Sequence, residues 1–305
     1  MSHQAGGAVS NDRAEDGHLS ESPLVEGASE TVRKNWRGGI PVVVEGDPRD
    51  FESKPLPVFS FVSRQAYLAQ ALAADVERLQ EHVVIPQVLR HVWFSTADGV
   101  PLKWHLPVGA LFDTHHKQDE LPFRVVVHMT LPGKSGERLL PFPATDVIKK
   151  DFFHWFKQGM YLRFGSRLPF TEFRDQDDET LWEGVAAGSI DRYQVILSRM
   201  KNYAPKAVPV RILMVVDTEE GTFPSKLLCK QSSLTLEPDN FECTLEDFIG
   251  RELPGLGRLV DQGENGVQVV CQGVVLPPQA LLIHLFERLA HADLFLYLSI
   301  TICAN

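Results

Sequence analysis

Apolar residues are sparse up to residue 31 and then recur with two different periods. Residues 1–31 are rich in Gly, Ser, Glu and Asp. They offer too little apolar surface to offset the entropy of ordering, which predicts a disordered tail. Gly39–Val44 and Leu56–Val62 are strand patterns separated by the turn residues of Gly46–Asp50. Leu68, Leu72, Val76, Leu79 and Val83 step by four and three residues, the spacing of one helix face. Val92–Phe94 reads as a short strand and Asp98-Gly99 as a turn. Phe123–Met129 closes the series as a strand with Phe123, Val125, Val127 and Met129 on one side.

The pattern becomes helical from Thr145. Ile148, Phe152, Trp155 and Phe156 share one face of a first helix, and Tyr193, Ile196, Leu197 and Met200 share one face of another, with Ser189 and Asp191 as capping candidates. Between them, Pro169 and the acidic run Asp175–Glu179 predict a loop. After Pro205 strands return. Val208, Val210, Ile212, Met214 and Val216 alternate, with Phe223–Lys230 as the expected hairpin partner. Thr244-Leu-Glu-Asp247 has the form of a capping box with Asp for the usual Glu. Gly266–Val275 predicts a strand, Pro278–Leu289 a helix, and Leu294–Ile302 a closing strand. The first series runs two strands, a helix, two strands, a short helix and a strand, the order of a ubiquitin-like β-grasp unit, and the last series repeats that order in outline. The expected fold is α+β, with two such domains flanking a helix-rich domain behind a disordered tail. The boundaries fall at 1–31, 32–143, 144–204 and 205–305.

Composition narrows the function. At 305 residues the chain suits two or three small domains. A formal net charge of −10 disfavours a nonspecific nucleic-acid binder, which needs a basic face. Cys229, Cys243, Cys271 and Cys303 lack C-x-x-C spacing and zinc-ligand companions. They read as reduced thiols of a cytosolic protein. No apolar stretch approaches the length needed to span a bilayer, and the N-terminus has no signal-peptide core. A cytoplasmic protein that touches membranes peripherally, through partners, is expected. His105, His115 and His116 lie near Asp113, but the run Asp113–Glu120 reads as a solvated polar loop and no metal or cofactor is expected. No hydrolase, zincin, phosphate-loop or dinucleotide fingerprint occurs.

The densest motif is Val100–Asp113, holding Pro101-Leu-Lys-Trp-His105, Pro107, Gly109 and Leu111-Phe-Asp113, and it is preceded by the strand-like Trp93-Phe94. Taken singly, these residues are core-formers, with Pro107 and Gly109 setting a corner into a short helix. Together with Trp36, Gly38, Ile40, Pro41, Leu181-Trp182, Gly184 and Asp191-Arg-Tyr193 in the same order, they resemble the signature of the autophagy protein 5 family over about residues 33–303. The resemblance implies a non-catalytic acceptor and scaffold. Its lysine would join the C-terminal glycine of the ubiquitin-like autophagy protein 12 by an isopeptide bond, formed by E1-like and E2-like enzymes. The conjugate would act like an E3 in attaching autophagy protein 8 to phosphatidylethanolamine at the preautophagosomal membrane. Autophagy protein 16, a coiled-coil partner, would dock in a groove between the two β-grasp domains, with Trp36, Ile40 and Pro41 lining or supporting it.

By family register the acceptor is Lys157, after Phe152-Phe-His-Trp-Phe156 and rotated off the strongest apolar face. Spacing alone leaves Lys149 and Lys150 as rivals, and Gln158-Gly159-Met160 departs from the acidic, helix-favouring stretch of the family. Two other readings remain: a noncovalent scaffold with the same partners, and a cytosolic cysteine-dependent enzyme using Cys271 or Cys229.

Overall fold

The computed structural model describes residues 30–83, 92–115, 121–130, 145–200, 202–218, 221–223, 230–235, 243–254, 256 and 267–303. The expected tail lies outside the described residues except for Glu30 and Thr31, which open helix α1 (Glu30–Arg37). The first sheet is built from β1 (Gly39–Gly46), β2 (Val58–Ser63), β3 (Trp93–Thr96), β4 (Pro101–Leu102) and β5 (Phe123–His128), in the order β2-β1-β5-β3-β4. β1 and β5 are parallel and the remaining pairs antiparallel. Ile40, Val42 and Val44 of β1 alternate into the same core as Phe123, Val125 and Val127 of β5.

Three helices cover that face: α2 (Leu68–Ala71), α3 (Ala73–Gln80) and α4 (Val108–His115). The single helix expected over Leu68–Val83 is two pieces, because Leu72 leaves helical geometry at φ −102° and ψ 11°. Its buried side chain still continues the apolar face, so the periodicity survives the break. Gly109 sits inside the first turn of α4 and not at its corner. Its N–H donates to the Arg64 carbonyl at 2.9 Å, and a Cβ there would meet that oxygen at the same separation, 2.9 Å. The glycine of the signature therefore permits close approach of two backbones.

The helix-rich middle holds α5 (Thr145–Phe164), α6 (Leu168–Thr171), α7 (Asp175–Ala186) and α8 (Ile190–Leu197). The acidic run expected to be a loop is the first turn of α7. Negative side chains favour that end of a helix, and Asp177 accepts from the Arg174 backbone N–H at 2.6 Å while pairing with Arg199. Pro169 falls in the first turn of α6, where a missing N–H costs nothing. Ser189 precedes α8 without a side-chain cap, and Asp191 instead pairs with Arg33 of α1 at 2.9 Å. Nor does Gly159 end α5. A Cβ at this position would come within 2.6 Å of the Asp293 carbonyl, so the glycine lets the helix lie against that turn.

The second sheet contains β6 (Ala207–Thr218), β7 (Gly221–Phe223), β8 (Lys230–Thr235), β9 (Val267–Cys271), β10 (Val274–Val275) and β11 (Leu296–Cys303), with order β10-β9-β11-β6-β7 and β8 pairing β6. Both ends of the expected partner Phe223–Lys230 pair antiparallel with β6, Phe223 opposite Val216 and Lys230 opposite Ile212; 224–229 lie outside the described residues, and the pairing continues along β8 to Ala207↔Thr235. The expected strand Gly266–Val275 is a hairpin turning at Gln272-Gly273, both at positive φ (53° and 77°). Helix α9 (Leu245–Glu252) starts with a complete capping box. Thr244 Oγ1 accepts from the Asp247 N–H at 3.1 Å and Asp247 accepts from the Thr244 N–H at 3.0 Å. Aspartate thus serves at this position. Helix α10 (Leu282–Leu289) begins four residues after Pro278.

The two sheets do not stand apart. One face of β6 and β11 packs Val208, Val210, Ile212, Leu296, Leu298 and Ile300 into the core shared with α9, α10 and the helix-rich middle. From the opposite face Leu213 and Tyr297, with Phe295 just before β11, join the core of the first domain. Helix α4 lies on that face, touching β6, β9 and β11, and Thr114 Oγ1 lies 2.8 Å from Ser299 Oγ. The second sheet is therefore covered on both sides by apolar groups.

Two outcomes follow from this packing. Gly159→Ala should gain helix propensity yet lower the denaturation midpoint, losing about 1–3 kcal/mol to overpacking against Asp293; a gain in stability would refute the contact. Cys271 is fully buried in β9, and burial pushes its thiol well above the usual range. Iodoacetamide at pH 7 should label Cys271 only after unfolding, whereas rapid stoichiometric labelling of the native thiol would revive a cysteine-dependent activity.

Candidate functional site

Helix α5 is fixed by its buried face, on which Ile148, Phe152, Phe156 and Met160 recur at helical spacing. Lys157 follows Phe156 by about 100° of rotation and is exposed. Its Nζ lies 4.5 Å above the ring of Phe170, itself packed on Phe173 with centroids 5.3 Å apart. The rival lysines are engaged. Lys149 pairs with Glu179, and Lys150 pairs with Asp146 one turn away at 3.2 Å. Lys157 has no carboxylate partner among the described residues. Of the three, it is the amine held by a ring face, that of half-buried Phe170, and by no salt bridge.

Trp36, Ile40 and Pro41 are close in sequence but do not converge. Ile40 is 2% exposed and belongs to the first domain's core. Pro41, the next strand residue, faces the other way and pairs with exposed Phe61 on β2. Trp36, in the last turn of α1, packs at a tilt on Tyr193 with centroids 4.6 Å apart. It lines a cavity of about 400 Å³ with Arg163, Phe164, Tyr193, Phe286 and Leu294. That cavity lies between α1, the helix-rich middle and the second β-grasp domain, whereas the sequence pointed to a groove between the two β-grasp domains. Asn35 holds α1 in place by donating to the Arg288 carbonyl at 2.8 Å.

A buried polar cluster tests the enzymatic readings. Ser95 Oγ lies 2.8 Å from His128 Nε2, and His128 Nδ1 lies 2.7 Å from Asp47. The spacing is that of a serine–histidine–aspartate relay. Ser95, however, is 1% exposed, and the Trp93 ring stacks 3.7 Å from the imidazole, which blocks any substrate approach. The Arg49 guanidinium holds the Asp47 carboxyl well below the usual range, and burial lowers the His128 pKa. Asp47, Asp50 and His128 also stand close enough to share an ion. Their ligand atoms are already taken: Asp47 by Arg49 and His128, and Asp50 by the Met129 N–H at 2.7 Å and the Thr130 hydroxyl at 2.6 Å. The cluster thus locks the end of β5 to the β1 corner.

His105 and His115, near Asp113, are not in a solvated loop. His115 ends α4 and burial lowers its pKa to about 4, as it does that of His105; His116 lies outside the described residues. Asp113 is itself mostly buried. It pairs with Arg64 and accepts the Gly273 N–H at 3.1 Å, while Arg64 Nε donates to Gln272 at 3.2 Å. This clasp joins the first domain to the β9–β10 turn of the second. No local signal in the sequence announces it, because Asp113 and Gly273 are 160 positions apart.

Comparison with known proteins matches the three parts in order. Family sequence models described as Autophagy protein ATG5, UblA domain, alpha-helical bundle region and UblB domain match residues 35–129, 145–203 and 207–300. Autophagy protein 5 of Saccharomyces cerevisiae is 24% identical over 289 residues, covering 87% of this chain and 93% of its own. The Drosophila melanogaster protein of that name is 23% identical over 282 residues, at 89% and 96% coverage. The Oryza sativa subsp. indica protein is 27% identical over 176 residues, which are 57% of this chain and 45% of the relative; the chain matches about half the length of its plant relatives. The crystal structure of Kluyveromyces marxianus Atg5 superposes with a TM-score of 0.70 at 21% identity, over 88% of this chain and 98% of that one. With two ubiquitin-like sheets, the helical middle between them and all three family models in register, the chain belongs to the autophagy protein 5 family.

Proposed function

We propose that this protein is the acceptor subunit of a conjugate with the ubiquitin-like autophagy protein 12, and that Lys157 is the acceptor. The Lys157 amine attacks the thioester that links the modifier's terminal carbonyl to an E2-like enzyme. A C–N bond forms, the C–S bond breaks, and the enzyme leaves as a thiol with the proton given up by nitrogen. The protein supplies no catalytic side chain of its own. The conjugate then acts like an E3 for the E2-like enzyme that attaches autophagy protein 8 to phosphatidylethanolamine. It works in the cytoplasm and is recruited to the preautophagosomal membrane by its partners. Autophagy protein 16 docks through a helix at the cavity beside Trp36.

The observation that carries this reading is the state of Lys157 within a chain of this family. It is exposed on a rigid helix without a carboxylate partner, whereas Lys149 and Lys150 are paired. The rigidity of α5 supports it further, since a nucleophile on a packed helix needs little ordering before attack.

An immunoblot from starved cells of the protein's own source, beside Lys157→Arg, tests the acceptor. A slower-migrating species that survives boiling in detergent and reductant is expected, and the substitution should abolish it. Persistence in the variant would move the acceptor to Lys149 or Lys150. Its absence from wild-type cells that still lipidate autophagy protein 8 would replace the acceptor by a noncovalent scaffold.

A further inference from the structure

The cavity beside Trp36 is largely aromatic and aliphatic, yet it holds a poorly compensated cation. Arg163 lies in the last turn of α5 and points its guanidinium at rings: the centroid of Phe286 is 4.2 Å away and that of Phe164 is 5.7 Å away. Ring faces attract a cation but offer no lone pair to an N–H. Arg163 Nη1 is buried and has no acceptor among the described residues. Burial lowers the Arg163 pKa to about 10, against an opposing pull from Glu287. Glu287 shares the lining but makes no ion pair with Arg163 among the described residues. Two arginines, Arg163 and Arg288, stand against this one glutamate around the cavity, so its charge is net positive although the chain as a whole is acidic.

A desolvated guanidinium with an open donor is best satisfied by a carboxylate, whose two oxygens match the planar fork. We propose that the cavity reads an acidic residue on the docking partner: an Asp or Glu side chain pairs with Arg163 while a neighbouring apolar side chain seats on Trp36, Phe286 and Leu294. On a partner helix the two lie three or four positions apart, the spacing that puts side chains on one face. This rests on the docking reading above and adds what the site recognises. The apolar wall supplies area and the buried charge supplies selection, because any partner without the acid leaves the arginine desolvated and unpaired.

The test is a binding titration by fluorescence anisotropy of the full chain with labelled full-length autophagy protein 16 from the same source. Each acidic residue of its helical segment is also converted singly to the amide. Arg163→Met should weaken binding at least tenfold, and Arg163→Lys, which keeps the charge but not the fork, by less. One Glu→Gln or Asp→Asn in the partner should weaken binding to the unaltered chain by a similar factor. The same change should alter binding to Arg163→Met by less than twofold, the coupling expected of a direct pair. The partner-side substitutions leave this chain untouched, so the inference stays open to refutation even if Arg163→Met fails to fold. If Trp36→Ala abolishes binding but no partner acid matters, the carboxylate inference is overturned and docking at the cavity survives. If Trp36→Ala and Arg163→Met both bind like the unaltered chain, docking at this cavity falls and the inference falls with it.

Discussion

The arrangement of the whole molecule depends on one arginine buried inside a sheet. Arg211 is 1% exposed in β6 and lies between the Trp155 ring of α5, 3.9 Å away, and the Phe295 ring, 4.2 Å away. Removing an ion from water costs several kcal/mol unless the site replaces its hydration. Here Nη1 donates to Tyr297 Oη at 2.5 Å, and the same nitrogen lies 3.7 Å from Asp293. Tyr297 in turn donates to Asp293 at 2.6 Å. Burial pushes the Asp293 carboxyl upward while Arg211 pulls it down. The arginine comes from the second β-grasp domain and one of its covering rings from the helix-rich middle. Separating the two would open a buried charge to water, so their relative placement is set by that charge as much as by apolar area.

That constraint also explains the composition of β6 and β11. A sheet exposed on one side needs apolar residues only at alternate positions, and the alternation Val208, Val210, Ile212 is what the sequence displays most plainly. The intervening positions, Leu213 and Val215 of β6 and Tyr297 of β11, are buried as well. Near-continuous apolar runs mark strands covered on both faces. The signal was present in the chain, but its second half is masked by Arg211 and Ser299, polar residues that look like an exterior and are interior. Ser299 is satisfied by Thr114 across the domain junction. The order of elements along the chain and the capping box at Thr244 were legible because they are local. The hairpin at Gln272-Gly273, the clasp of Asp113 with Arg64 and the acidic opening of α7 were not, because each depends on partners or helix geometry that composition does not carry.

The candidate residues divide along the same line. That Ile40 and Pro41 point to opposite faces of the sheet follows from strand alternation alone. Gly159 reads as a helix breaker until the Asp293 carbonyl is placed against it. For Lys157, spacing left three lysines open and the family register chose among them; the i,i+4 pair of Lys150 with Asp146 can be read from helical spacing, whereas the pair of Lys149 with Glu179 is a tertiary fact that no periodicity contains.

Helix α5 carries both Lys157 and Arg163, six residues apart, which is about 9 Å along the axis and some 240° around it. The lysine faces solvent and the arginine the cavity, so a partner seated at one does not cover the other by necessity. The helix between them is clamped by Phe156, Met160 and the approach at Gly159. Coupling through a change of shape needs an element with two arrangements, and a helix packed in this way has one. If the docking and acceptor readings proposed above hold, a partner bound at Arg163 would act on Lys157 by position, holding other components close to the amine and raising their local concentration. Under the proposed acceptor role, a helix fixed on one side by its buried face and by the contact of Trp155 with Arg211 would present its amine without a prior rearrangement.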